Sequence, residues 1–293
     1  MELPYHIHRA PKGKRSGEFF WGADMQTLLR SLQQAVMDAR RLIDWLTIQP
    51  YVDDKRLGII GVSLGGFIGN VLVGVDERIS TCVSILAGGD PAMLVWKSWL
   101  TRSWQLLLIR QGITLKALRA QVRWLDPITY AKRVRHRNLL MVIADYDVFA
   151  PSETCWKLWH AWGRPPVIRL RTGHLCTLLS ISALRRAVVQ FAKLTLIDGL
   201  DAQSAFKKLP RVPSFAIKTE MLVIIGGKFG PGVAIELTDL DHARRTSLDL
   251  HAGLAGIYVG IQWEASRNLA IGLNIRLDGK RIIRPHISAF FIF

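Results

Sequence analysis

The sequence predicts an α/β fold, a mostly parallel sheet with helices on both faces, followed by a small antiparallel β region. Three observations carry this. Short apolar runs alternate with segments of helical period over the first two thirds of the chain. The run at 57–62 reads as a short, fully buried strand of the parallel kind. A clean period-two alternation appears only after residue 196.

Asp24 is suited to cap a helix. Leu28, Leu32, Ala35, Val36, Leu42, Ile43 and Leu46 then pair at spacings of three, four and seven, so residues 25–48 should form a long amphipathic helix that Pro50 stops. Asp53 and Asp54 turn the chain, and 57–62 reads as a short parallel strand. The theme repeats with a helix at 64–73, strands at 81–86 and 139–144, a helix at 153–162, a strand at 167–170 and a helix at 178–194. Between 91 and 125 the pattern is helical and rich in Trp and Leu, and longer than one crossover needs. It reads either as an insertion over a site or as additional core helices.

The predicted organisation is an α/β domain at 1–198 with the insertion at 91–125, a linker at 199–213 marked by Pro210 and Pro213, and a β region at 214–293. In that last region Ile257, Val259, Ile261 and Trp263 share one strand face. Leu269, Ile271, Leu273, Ile275 and Leu277 share the next, with a hairpin turn at 265–268, a second turn at 278–280 and a third strand at 286–293. The alternation and the final Phe293 resemble the last strands of an outer-membrane barrel only weakly, and three strands close no barrel, so membrane association is not the expectation.

At 293 residues with 49% hydrophobic content the chain can bury a large core. No uninterrupted apolar run reaches the roughly 18–20 residues of a spanning helix, and no secretory leader opens the sequence. Cys82, Cys155 and Cys176 lack the paired spacing of a zinc site or disulfide framework, which leaves a cytoplasmic protein as the expectation. The net charge of +16 favours anionic partners. No nucleic-acid-binding motif accompanies the basic clusters at 12–15 and 132–137, so specific nucleic-acid binding is not expected.

The chemistry is carried by Gly61-Val62-Ser63-Leu64-Gly65-Gly66, which lies between a predicted strand and a predicted helix. A serine on such a tight turn stands clear of the sheet, and its neighbours must be small. The next backbone N–H, that of Leu64, opens a helix and faces a developing oxyanion. The glycine patterns of phosphate-binding turns are absent. A serine nucleophile needs a base oriented by a carboxylate. His174 follows the last strand of the α/β domain, and two carboxylates, Asp145 and Asp147, follow the strand at 139–144.

The order Ser, acid, His, each at the end of a predicted strand, resembles the α/β-hydrolase superfamily. The chain is similar to its bacterial dienelactone-hydrolase and serine-esterase branches, with further likeness in Leu3-Pro4-Tyr5-His6, residues 15–18 and residues 39–46. The resemblance covers residues 1–196. It implies a serine hydrolase that cleaves small-molecule carboxylic esters through an acyl-enzyme on Ser63, with His174 as base, Asp147 as orienting acid and Leu64 N–H in the oxyanion hole. It implies no cofactor and no metal. Asp147 is favoured because Pro151 follows it by the family's offset; Asp145 fits that offset less well. The family also has strands before the position of Met1 that donate a second oxyanion N–H. Their absence from this sequence supports an alternative expectation, a weak or inactive remnant with a binding or membrane-associated β region.

Overall fold

The computed structural model describes every residue except Ala23, Phe293 and the segments 214–216, 225–227, 240–245, 254–255, 267–268 and 279–280. The turn residues 267–268 and 279–280, expected from sequence, therefore lie outside the described residues, as does Phe293. The chain forms two compact units. Met1–Ile143, Asp147–Ile168 and Val188–Leu209 make the first; Ala144–Tyr146, Arg169–Ala187 and Pro210–Phe293 make the second.

The elements in chain order up to the acid loop are α1 (Glu18–Gly22), α2 (Met25–Thr47), β1 (Leu57–Val62), α3 (Leu64–Val75), β2 (Ile79–Ile85), α4 (Pro91–Lys97), α5 (Arg102–Arg110), α6 (Leu115–Val122), α7 (Ala131–Val134) and β3 (Asn138–Ala144). After it come α8 (Ser152–Ala161), β4 (Val167–Leu170), α9 (Ile181–Leu196) and α10 (Ala202–Phe206). The sheet runs β1-β2-β3-β4, and β1 and β3 each pair parallel with β2. For α2 and β3 the physical origin matches the sequence signal. Asp24 Oδ1 accepts from Thr27 N at 2.9 Å and starts α2. The buried stripe of α2 is Leu28, Leu32, Ala35, Val36, Ala39 and Ile43. Leu139 through Ala144 are all buried, which is why β3 shows no alternation. Among the described residues β1 pairs on one side only, and it leaves Ile60 and Val62 half exposed. The segment predicted as a linker contains α10, whose first turn is capped by Asp201.

The insertion at 91–125 holds α4, α5 and α6, and it is pinned at one residue. Asp90 takes the left-handed φ of 51° and caps α4 by accepting from Met93 N at 3.1 Å. Its two carboxylate oxygens accept from Arg119 Nε at 3.1 Å and Nη2 at 2.7 Å, and Lys157 of α8 lies 3.1 Å away. One carboxylate thus ties α4, α6 and α8 together.

In the second unit, β5 (Ile217–Ile224), β6 (Lys228–Asp239), β7 (Thr246–Gly253), β8 (Gly256–Ser266), β9 (Leu269–Asp278) and β10 (Arg281–Ile292) close into a barrel of order β10-β5-β6-β7-β8-β9. The antiparallel region expected from sequence is present, with six strands where the alternation predicts three. No helix among the described residues is long and apolar enough to cross a membrane.

Burial alone would raise the Asp90 carboxyl, but the hydrogen bonds from Arg119, Lys157 and Met93 N outweigh it and hold it below the ordinary carboxylate value. The folded group therefore titrates below the unfolded one, which titrates near about 3.9. The stabilisation is complete above that value and is lost as the pH falls through the depressed folded one. Because Arg119 and Lys157 remain partly solvent-exposed, Asp90→Asn should cost only about 1–2 kcal/mol at neutral pH. The difference from wild type should vanish in acid, as urea unfolding across a pH series would measure.

Candidate active site

β1 ends at Val62 and α3 begins at Leu64, so Ser63 alone makes the turn between them. Its backbone sits at φ 51°, ψ −118°, a region that costs a side-chain-bearing residue about 1–3 kcal/mol. Two backbone bonds hold it there: Ser63 N donates to Ile85 O at 2.8 Å, and Phe67 N donates to Ser63 O at 2.9 Å. Close approach of strand and helix explains the glycines. A Cβ on Gly61 would sit 2.5 Å from Gly65 O, and one on Gly66 would sit 2.8 Å from Ala87 Cβ. Gly65, which the sequence pattern also names, has open space where its Cβ would be. The steric demand therefore falls on Gly61 and Gly66. Leu64 N opens α3, where first-turn N–H groups have no intrahelical acceptor.

Ser63 lines an apolar cavity of about 100 Å³ walled by Phe20, Trp21, Leu94, Leu100, Trp104 and Phe149. Leu94, Leu100 and Trp104 of the 91–125 segment line this cavity, while its Ala92, Leu108, Leu118 and Val122 pack as a buried cluster. Trp104 is stacked on Trp21 with ring centroids 6.0 Å apart. The aromatic walls at Phe20, Trp21 and Phe149 went unread in the sequence, where only the clustering of aromatics at 19–21 hints at them.

The acid loop belongs to the same wall. Asp147 is buried, and its Oδ1 accepts from Phe149 N and Ala150 N, both at 2.8 Å. Ser98 Oγ donates to Phe149 O at 2.6 Å, Trp99 N donates to Val148 O at 3.0 Å, and the Trp99 and Phe149 rings stack at 5.7 Å. The insertion is thus laced to the loop that presents Asp147. Asp145 has a different occupation: Arg169 Nε donates to both its oxygens, at 3.0 and 2.9 Å.

His174 lies in the second unit, half-buried, in the loop after β4. Tyr146 N donates to Thr172 O at 3.1 Å and Thr177 N to Gly173 O at 3.2 Å, which fix the loop on either side of it. Ser63 and Asp147 belong to the first unit. Cys82 and Cys155 are buried, and burial pushes both thiols up to about 12, with the Asp147 carboxylate adding to the effect on Cys155. Among the described residues no three His, Cys, Asp or Glu gather as a metal site would require.

No protein-family model matches the chain. Two uncharacterized proteins of Mycobacterium tuberculosis are 28% identical over 174 residues, which is 59% of this chain. The chain spans only 40% of the length of those curated relatives. Several solved structures are similar to part of the chain. One is the α/β-hydrolase GrgF of Penicillium, with TM-score 0.42 and 14% identity over 56% of this chain and 72% of that one. Another is an acetyl xylan esterase of Paenibacillus, with TM-score 0.43 and 19% identity over 53% and 52% of the two chains. A third is the acylaminoacyl peptidase of Pyrococcus horikoshii, with TM-score 0.46 and 18% identity over 63% and 32%.

If the turn is strained as its φ indicates, Ser63→Gly should be more stable than Ser63→Ala by about 1 kcal/mol, since glycine releases the strain that alanine keeps. Gly66→Ala should destabilise by at least about 1–3 kcal/mol, because its Cβ would press on Ala87 and on the Gly61 backbone. Paired thermal melts of the three variants check both.

Proposed function

We propose that this protein is a serine hydrolase that cleaves small carboxylic esters with an apolar acyl group. The observation that carries the proposal is Ser63, held at a left-handed φ between strand and helix and lining an apolar cavity. In the reaction Ser63 Oγ attacks the ester carbonyl while His174 takes its proton. The tetrahedral oxyanion is met by Leu64 N–H at the positive end of α3. His174 returns the proton to the departing alcohol, leaving an acyl group on Ser63 that water then removes. Asp147 orients the imidazole. Its buried carboxylate, anchored by Phe149 N and Ala150 N, suits that role better than Asp145, which is engaged by Arg169.

The cavity favours short acyl groups: its volume of about 100 Å³ is below the roughly 150 Å³ that accommodates a benzene ring.

A fluorophosphonate should label Ser63. Ser63→Ala and His174→Ala should lower kcat for p-nitrophenyl acetate by at least about 10³-fold, and Asp147→Asn by about 10²- to 10⁴-fold. Asp145→Asn should leave kcat within severalfold of wild type. Labelling elsewhere, or unchanged turnover by Ser63→Ala, would refute the mechanism. Trp104→Ala should move the kcat/KM preference from acetyl toward longer acyl p-nitrophenyl esters, because it opens the cavity wall; an unchanged preference would show that the acyl group lies elsewhere.

A further inference from the structure

Among the described residues, strands β7 to β9 of the barrel are layered the wrong way round for water. Along β8, Ile257, Ile261 and Trp263 are exposed, while the alternate residues Tyr258, Gly260 and Gln262 are buried. Along β9, Ile271, Leu273, Ile275 and Leu277 are exposed, while Gly272 and Asn274 are buried. On β7 the buried positions are Asp249 and His251. The register aligns these residues into rows: Leu248, Ile261 and Leu273 lie side by side on the outward face, as do Leu250, Val259 and Ile275. The inward row Asp249, Gly260, Asn274 runs between them.

The interior is a hydrogen-bonded polar cluster. Gln262 Nε2 donates to Asn274 Oδ1 at 2.8 Å and to His251 Nε2 at 3.0 Å. A Cβ on Gly260 would strike Asn274, and one on Gly272 would strike Gln262. Those two glycines therefore make room for the polar side chains. A water-soluble barrel keeps apolar side chains inside, because buried polar groups gain nothing unless paired and an extended apolar exterior favours association. This one gathers polar side chains inside, with Gln262 Nε2 bonded to both His251 and Asn274, and turns its aliphatic groups out.

We propose that the barrel seats in the hydrocarbon of a lipid bilayer, with the outward face of β7 to β9 against acyl chains. Alternating apolar-out and polar-in strands are the pattern a membrane imposes on a closed sheet, which alone satisfies every backbone group without water. Two of the three strands of that face have the length of a tilted membrane strand, roughly 9–11 residues: β8 has 11 and β9 has 10, while β7 has 8. The outward rows follow the curvature of the barrel across three strands. Fluid acyl chains conform to such a convex face, whereas a second copy meets only part of it. Among the described residues, Tyr258, His251, Gln262 and Asn274 occupy the inner side of β7 to β9. Closure, which three predicted strands could not supply, is supplied here by six.

The test is flotation of the full chain with phosphatidylcholine vesicles and with phosphatidylcholine mixed with phosphatidylglycerol. Insertion predicts that it floats with both and stays bound through high salt and alkaline carbonate. Binding to the anionic vesicles alone, or release by salt, would reduce the effect to adsorption of a chain of net charge +16 and overturn the proposal. Ile261→Arg with Leu273→Arg should abolish flotation, while Val189→Arg, at an exposed apolar site on α9, should not. A second readout is independent of any misfolding by the arginines. Brominated acyl chains should quench tryptophan emission in wild type, and Trp263→Phe should remove part of that quenching. Equal quenching in the two, or a lipid-free dimer that the arginine pair dissociates, would contradict acyl contact.

Discussion

The catalytic reading depends on a single strained residue. Ser63 occupies a left-handed backbone that costs about 1–3 kcal/mol, and the fold supports it by bringing β1 and α3 so close that Gly61 and Gly66 face one another's backbones. If either glycine acquired a side chain, strand and helix would separate and the turn would relax. The hydroxyl would then no longer stand at the cavity, with the helix N-terminus beside it.

Around this turn the structure places a dry wall and a fixed acid. Asp90 collects Arg119 and Lys157 and so fastens the helical insertion. The insertion in turn binds the acid loop through Ser98 and Trp99. The same segment that lines the Ser63 cavity therefore also holds the loop that carries Asp147. Low polarity in the cavity would strengthen the interaction between an oxyanion and the Leu64 N–H, and this couples the packing of Trp104 and Phe149 to the proposed chemistry.

The local part of this was legible in the sequence. Strand, serine turn and helix are consecutive, so Gly61 to Gly66 announced themselves, and buried β3 showed as an unbroken apolar run, whereas β1, expected to be fully buried, leaves Ile60 and Val62 half exposed. What was not legible is non-local. The choice between Asp145 and Asp147 followed a family offset from Pro151; what distinguishes the two physically is Arg169, 24 residues on, which occupies Asp145. The role of the 91–125 segment depended on contacts with residues 148 and 149, which no periodicity encodes. The β region was underread for a related reason. Along β7, Asp249 and His251 alternate with leucines, and β6 carries Gly230-Pro231-Gly232, a texture that reads as turn unless closure of the barrel is known.

The most direct measurement of the central claim is the mass of the protein trapped by acid during steady-state turnover of an acetyl or butyryl ester. The account predicts a single acyl addition that maps to the peptide containing Ser63 and is absent from Ser63→Ala. Turnover with no covalent adduct, or with the acyl group on another residue, would contradict it.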